Sequence, residues 1–300
     1  MHKLLLNTRN ILTKFLPENS KLYKHIVMLG IKIKVKKQHK RLKLLKIGVH
    51  ATSHCNLNCK GCTAFSPLAE PSFLDVRLFT NDLIRLAELT NNRISALYIS
   101  GGEPLLHPEI EDILNISRKY FIDADISMMT NGLKLLDMPD SFWNICKTKS
   151  IRILISRYPI NININKINEK AKHFNLKISY VGGDNAPIKQ MWKYPLDLNG
   201  KQPLKNSFDI CTQVNLCMIL NEGIIYPCNT IACIKHFSNY FNEKIELKQD
   251  DTLNIYNINS VEEILDFLCK PKPMCRFCNR KGLILGIKYQ QSNREVSEWV

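Results

Sequence analysis

From residue 47 to about 181, strand-like and helix-like stretches alternate, and that alternation commits the chain to an α/β fold built on a parallel sheet. The strand candidates are 44–51, 96–100, 125–130, 150–156 and 177–181. Between the first two, Phe79, Leu83, Leu86 and Thr90 recur at helical spacing and form one stripe. The next helix is predicted to open at Pro108, where Glu109, Glu111 and Asp112 supply the acids a helix N-terminus favours. Parallel barrels place their chemistry at the C-terminal ends of the strands. Four such ends carry distinctive residues: a cysteine loop after the first, Gly101-Gly102-Glu103-Pro104 after the second, Thr130-Asn131-Gly132 after the third and Ser156-Arg157 after the fourth.

Cys55, Cys59 and Cys62 in that loop have C-x3-C-x2-C spacing. Three thiolates can hold three corners of a 4Fe-4S cube and leave its fourth iron open to a small molecule. Zinc sites prefer four ligands in C-x2-4-C pairs, where this loop has three cysteines, and bacterial ferredoxins use C-x2-C-x2-C-x3-C-P, so neither arrangement fits. Gly101 and Gly102 offer close-approach backbone with carbonyl acceptors, and Glu103 a carboxylate, a set suited to a ligand ammonium.

Together the two motifs resemble those of the radical S-adenosylmethionine (SAM) enzymes. The resemblance implies a partial (β/α)6 barrel in which Cys55, Cys59 and Cys62 hold the catalytic cluster. SAM would chelate the open iron, Gly101 to Pro104 would receive its methionyl amine, and a 5'-deoxyadenosyl radical would take hydrogen from an unactivated C–H bond. By the strand-end geometry Thr130, Asn131, Ser156 and Arg157 also face SAM, the last two being candidates for its carboxylate or ribose. A turn and a surface arginine are the plainer account of that pair. Many members carry an aromatic residue just before the third cysteine, whereas this chain has Gly61; Phe65 either substitutes for that ring or belongs to the core.

Beyond a polar connection at 182–206, Cys211, Gly223 and Cys228 read C-x11-G-x4-C, with Cys275 and Cys278 far downstream. This pattern resembles the SPASM/twitch extensions of radical SAM enzymes, in which a hairpin turned by the glycine carries ligands of an auxiliary cluster. Met218 to Leu220 and Ile224 to Tyr226 flank the turn Asn221-Glu222-Gly223, and Ser260 with Glu263 makes a capping box for a short helix through Leu268. No C-x5-C-x3-C continuation follows Cys278, which leaves a single-cluster twitch or a zinc ribbon from the same four cysteines. Cys217 is the alternative to Cys211 as a ligand; Cys146, Cys233 and Cys269 remain as spare thiols. The domains expected are thus a basic extension over 1–46, a radical SAM core over 47–205 and a small hairpin-and-helix domain over 206–300.

The net charge is +15, and residues 1–46 hold thirteen Lys and Arg against the single acid Glu18, so +12 of it belongs to the extension. Apolar residues interleave with those charges, which suits either a membrane or glycan-carrier surface or a helix packed on the body. A nucleic-acid reading motif is lacking. Eleven cysteines in clustered spacings without a secretory leader indicate reduced thiols in a cytoplasm, and no apolar run nears the ~20 residues of a bilayer span. The local text around Cys62, after Cys228 and around Cys275 is similar to twitch-type proteins associated with surface-polysaccharide biosynthesis. It implies oxidation of a carbohydrate-type substrate, with an auxiliary 4Fe-4S cluster as electron acceptor and flavodoxin or ferredoxin as reductant. Sugar epimerisation and peptide maturation are the competing activities, and an electron carrier or zinc-stabilised binding protein is the non-enzymatic one.

Overall fold

The computed structural model describes residues 45–184, 188, 191–214 and 218–300, together with 22, 25, 26, 29 and 30. Most of the basic extension, the docking surface expected of it, and Cys217 lie outside the described residues.

Strands β1 (Lys46–Thr52), β2 (Ala96–Gly101), β3 (Asp125–Thr130), β4 (Arg152–Ile155) and β5 (Ser179–Tyr180) pair in parallel in sequence order. Helices α1 (Val76–Thr90), α2 (Ile110–Tyr120), α3 (Asp140–Thr148) and α4 (Ile164–His173) make the crossovers between them. Ile47, Val49, Leu97, Ile99, Ile126 and Ile155 are almost wholly buried, as strands covered by helices require. The stripe Phe79, Leu83, Leu86 and Thr90 is buried against them. At the start of α1, Asp75 caps the helix by accepting the Arg77 and Leu78 N–H groups at 2.8 and 3.1 Å. Helix α2 begins two residues after Pro108, with Glu111 and Asp112 in its first turn.

The sheet does not end at β1. Strand β7 (Ile219–Asn221) lies parallel beside it, and β8 (Ile224–Tyr226) and β9 (Leu253–Asn254) continue antiparallel, in the order β5-β4-β3-β2-β1-β7-β8-β9. The partial barrel therefore takes five strands from successive βα units and a sixth parallel strand from the C-terminal hairpin. Gly48 makes the junction possible: its N–H donates to Met218 O at 2.7 Å, and a Cβ there would stand 2.7 Å from Ile219 Cδ1. The hairpin turn holds Glu222 and Gly223 at φ 49° and 73°, the sign a two-residue turn of this hand needs. Asp82 on α1 fastens it, accepting the Gly223 N–H at 2.7 Å and the Tyr256 hydroxyl at 2.9 Å. Burial pushes that carboxyl above its ordinary pKa, and the two bonds oppose the shift.

Helices α5 (Leu204–Asp209), α6 (Asn229–Phe241) and α7 (Val261–Cys269) follow, the last opened by the Ser260/Glu263 capping box. Strands β6 (Met191–Lys193) and β10 (Ile284–Ile287) form a separate antiparallel ribbon. A second apolar core joins Phe65 and Leu68, just beyond the cysteine loop, to Ile231, Ile234 and Phe237 of α6 and to Trp299. Phe65 is 2% exposed and packs on Phe237 and Trp299 at ring separations of 5.6 and 6.1 Å, so its ring is core. Among the described residues no helix is long and apolar enough to cross a membrane.

Candidate active site

The three cysteines after β1 are brought together by a loop that the C-terminal tail clamps. Cys59 bridges Gln291 in antiparallel fashion, Lys60 N–H donates to Gln290 O at 3.0 Å, and Ser292 N–H donates to Asn58 O at 2.8 Å. At the end of the loop, Trp299 Nε1–H donates to Cys62 O at 2.9 Å. The Leu57 N–H points at Cys55 Sγ, 3.3 Å away, and Asn131 Nδ2 reaches the same sulfur at 3.8 Å. Burial pushes the Cys55 thiol up to about 12; the Leu57 N–H opposes this, and Glu103, Cys62 and Cys59 add to it. Any metal bound by these thiols must displace their protons, so its binding releases protons. Tyr158 is raised well above its ordinary value by burial and then by all three cysteines, and Tyr289 by burial, Cys59 and Cys55. The two phenol rings meet edge to face at 5.6 Å.

The second motif leans on this loop through its backbone. Gly102 N–H donates to Thr52 O at 2.8 Å and Glu103 N–H to His54 O at 3.0 Å. A Cβ on Gly102 would lie 1.7 Å from the His54 carbonyl oxygen, and one on Gly101, at φ 126°, 2.3 Å from Thr52 O. Only glycine permits this contact. The Glu103 carboxylate, 1% exposed, accepts the Thr130 hydroxyl at 2.6 Å, the Asn131 N–H at 2.8 Å and the Leu105 N–H at 3.2 Å. Burial raises its pKa against those three bonds. Much of its accepting capacity is spent inside the protein, where it ties the end of β2 to that of β3, so the acceptors left for an ammonium are chiefly backbone carbonyls. Pro104 is buried at the head of a short 3-10 turn.

Thr130 and Asn131 thus meet the cysteine loop through Glu103, and the Asn131 amide also donates to Asn56 Oδ1 at 2.7 Å. Ser156 is buried and its N–H donates to Thr130 O at 2.9 Å. The Arg157 guanidinium lies 5.4 Å over the Tyr180 ring. Tyr158, one residue further, is the strand-end residue in electrostatic contact with the cysteines; the strand-end rule points to that position, but singling it out required the folded chain.

Between β1, β7 and α6 opens a cavity of about 180 Å³ that Gly101 and Gly102 also line. Polar groups dominate its named wall: His50, Thr52, Asn221, Glu222, Lys235 and His236. Burial pushes the His50 and His236 imidazoles down to about 4, so both are neutral at pH 7. Cys233 joins the wall, its Sγ 3.5 Å from His50 Nδ1 and in electrostatic contact with Cys62.

At the N-terminal end of α6, Cys211, Cys228, Cys275 and Cys278 are all buried, between 4% and 8% exposed. Cys228, the N-cap of α6, is raised first by burial and then by Cys211 and Cys278. Burial pushes Cys275 up to about 12, with Cys278 and Cys211 adding. The four sequence-predicted thiols thus lie within electrostatic reach of one another, Cys211 and Cys275 in one apolar cluster, and an arginine that the sequence did not single out, Arg280, contacts Cys278 Sγ at 3.5 Å. Among the described residues no three His, Cys, Asp or Glu are arranged to hold a single metal ion at either place. The three thiols of the loop, with backbone and amide donors at one sulfur, are soft donors of the kind a 4Fe-4S cluster takes, and the C-terminal thiols present the same donor chemistry beside a guanidinium.

Residues 49–179 match the Radical SAM superfamily, a span from β1 to the start of β5 that includes the cysteine loop and Gly101 to Pro104. Over this segment the chain is similar to radical SAM domains. Such a domain implies a 4Fe-4S cluster and SAM as cofactors. The chain is 33% identical over 89 residues to a GTP 3',8-cyclase of Chlorobaculum tepidum, a match covering 30% of this chain and 26% of that protein. To the GTP 3',8-cyclase of Nautilia profundicola it is 29% identical over 91 residues, covering 30% and 28%. The chain thus spans about a quarter of the length of the curated relatives it matches. Among solved structures, BtrN in complex with AdoMet and 2-DOIA aligns over 79% of this chain and 94% of that one, at 16% identity and a TM-score of 0.45.

Proposed function

We propose that this radical SAM protein removes a hydrogen atom from a carbohydrate-type substrate held in the β1–β7–α6 cavity and oxidises it. The observation that carries the oxidative reading is the convergence of Cys211, Cys228, Cys275 and Cys278 in a buried group at the head of the helix that forms the cavity wall. On this reading Cys55, Cys59 and Cys62 hold the catalytic cluster, and SAM bound to it supplies a 5'-deoxyadenosyl radical. Gly101 and Gly102 bring backbone acceptors to the methionyl amine, while Tyr158 and Tyr289 shield the sulfurs from water. Oxidation of an alcohol carbon then removes one electron and one proton more to leave a carbonyl. His50 and His236, unprotonated at pH 7, are the candidate acceptors of the proton in the cavity wall. The four C-terminal thiols are the residues that would hold the electron sink. Cys228 caps α6 and Cys233 lies five residues further along the chain, so the four-thiol site and the cavity share the first turns of one helix. The hydroxyl, amide and imidazole lining of the cavity suits a hydroxyl-rich substrate, free or carrier-linked. A flavodoxin or ferredoxin as reductant and contact of residues 1–46 with an anionic membrane surface belong to the same proposal.

Epimerisation is the second reading, and Cys233 favours it: a thiol in the cavity wall is placed to return a hydrogen atom. Anaerobic reconstitution with SAM and candidate saccharides in deuterated water separates the two. Oxidation gives a carbonyl product and survives Cys233→Ala; deuterium on an inverted carbon, lost in Cys233→Ala, would overturn it. Wild type should carry about eight irons per chain and Cys55→Ala, Cys59→Ala or Cys62→Ala about four.

A further inference from the structure

Among the described residues no carboxylate pairs with the buried cation Arg280. Its side chain begins two residues past Cys278, in the short 3-10 turn Arg280–Gly282, and is 5% exposed. Nη2 donates to Cys278 Sγ at 3.5 Å and the guanidinium lies 5.1 Å over the Tyr194 ring, while Nε is buried with no hydrogen-bond partner. Three of the four thiols, Cys211, Cys278 and Cys228, act on it electrostatically; no Asp or Glu figures among its strongest influences. A guanidinium cannot shed its charge, and an uncompensated buried ion costs several kcal/mol. The Tyr194 face offsets only part of this. The counter-charge in contact with it is sulfur: four thiolates around a metal centre leave about two negative charges, whereas four thiols leave none.

We infer that Arg280 is the counter-ion of the C-terminal four-cysteine site and, by charge and by its donation to Cys278 sulfur, raises the reduction potential of the cluster bound there. The inference rests on the reading of that site as an iron–sulfur cluster. Positive charge and hydrogen bonds at the sulfurs both stabilise the reduced, more negative state of a cluster. Arg280 would therefore suit the site to accepting an electron and is a positioning residue, since it touches the ligands and no substrate.

The test is an EPR-monitored redox titration of the full-length chain carrying Cys55→Ala, Cys59→Ala and Cys62→Ala, so that the C-terminal signal stands alone. Against that background, Arg280→Met should lower the reduced-to-oxidised ratio at a fixed poise tenfold or more, about 59 mV for a one-electron couple. Arg280→Lys, which keeps the charge but loses the planar fork, should fall between the two. If Arg280→Met fails to load iron while Arg280→Lys loads it, the counter-ion role stands. An iron-loaded Arg280→Met at the background potential overturns it, and so does equal loss of iron in both variants, which would make the side chain a packing element. Zinc in the background protein would instead overturn the cluster reading, and the inference with it.

Discussion

Replacing Gly102 with alanine should separate the two strand-end motifs of the candidate site. The added Cβ would stand 1.7 Å from His54 O, where ordinary contact begins near 3.4 Å, so the end of β2 and the cysteine loop must part by about 1.7 Å. Such a shift breaks the Gly102 N–H to Thr52 O and Glu103 N–H to His54 O bonds, now 2.8 and 3.0 Å. Each buried group left unpaired costs about 1–3 kcal/mol, or about 2–6 kcal/mol for the pair. The chemical cost is larger, because about 1 Å of misplacement at a reacting centre can lower a rate by about 10²-fold. The assay is anaerobic SAM cleavage with iron content and melting temperature measured on the same samples. Gly102→Ala should lose cleavage by about 10²-fold or more and melt earlier. Gly183→Ala is the control: that glycine has positive φ, 101°, which strains an alanine, but its Cβ would meet nothing within 4 Å, so it should keep iron and cleavage. Wild-type cleavage in Gly102→Ala would refute the claim that these glycines exist to seat β2 on the loop.

The tail clamp makes Trp299→Phe cost about 1 kcal/mol, for the lost bond to Cys62 O, and Trp299→Ala about 3–5 kcal/mol, for the lost ring; denaturant unfolding should rank them in that order. The lowered His50 pKa, about 4 against 6.5, means that the unfolded chain binds more protons between those values. Its contribution is complete above pH 6.5 and is lost as pH falls toward 4, by up to about 3 kcal/mol at ~1.36 kcal/mol per unit, with a smaller share from the more open His236. Urea midpoints at pH 7.5 and 5 should therefore converge in His50→Gln; an undiminished gap would show that His50 is not the source. Asp82→Ala should cost about 1–3 kcal/mol by stranding the buried Gly223 N–H, with the Tyr256 hydroxyl released to solvent, seen as a lower unfolding midpoint.

Sequence alone determined the elements whose signals are local. The helical stripe of α1, the capping box of α7, the hairpin about Gly223 and the strand-end positions of both motifs follow from side-chain periodicity and turn chemistry, which act over a few residues. Glu103 was legible as an acid at a strand end, but not as one already engaged by Thr130, Asn131 and Leu105. Only the tertiary structure decided that the sixth parallel strand is β7 at Gly48, that residues 290–292 and Trp299 hold the cysteine loop, and that Arg280 stands among four thiols. Each of those contacts joins residues that carry no periodic or turn signal for one another, and one such pair, Cys62 and Trp299, lies 237 positions apart. Their partners are chosen by which surfaces remain to be covered once the local elements have formed and packed.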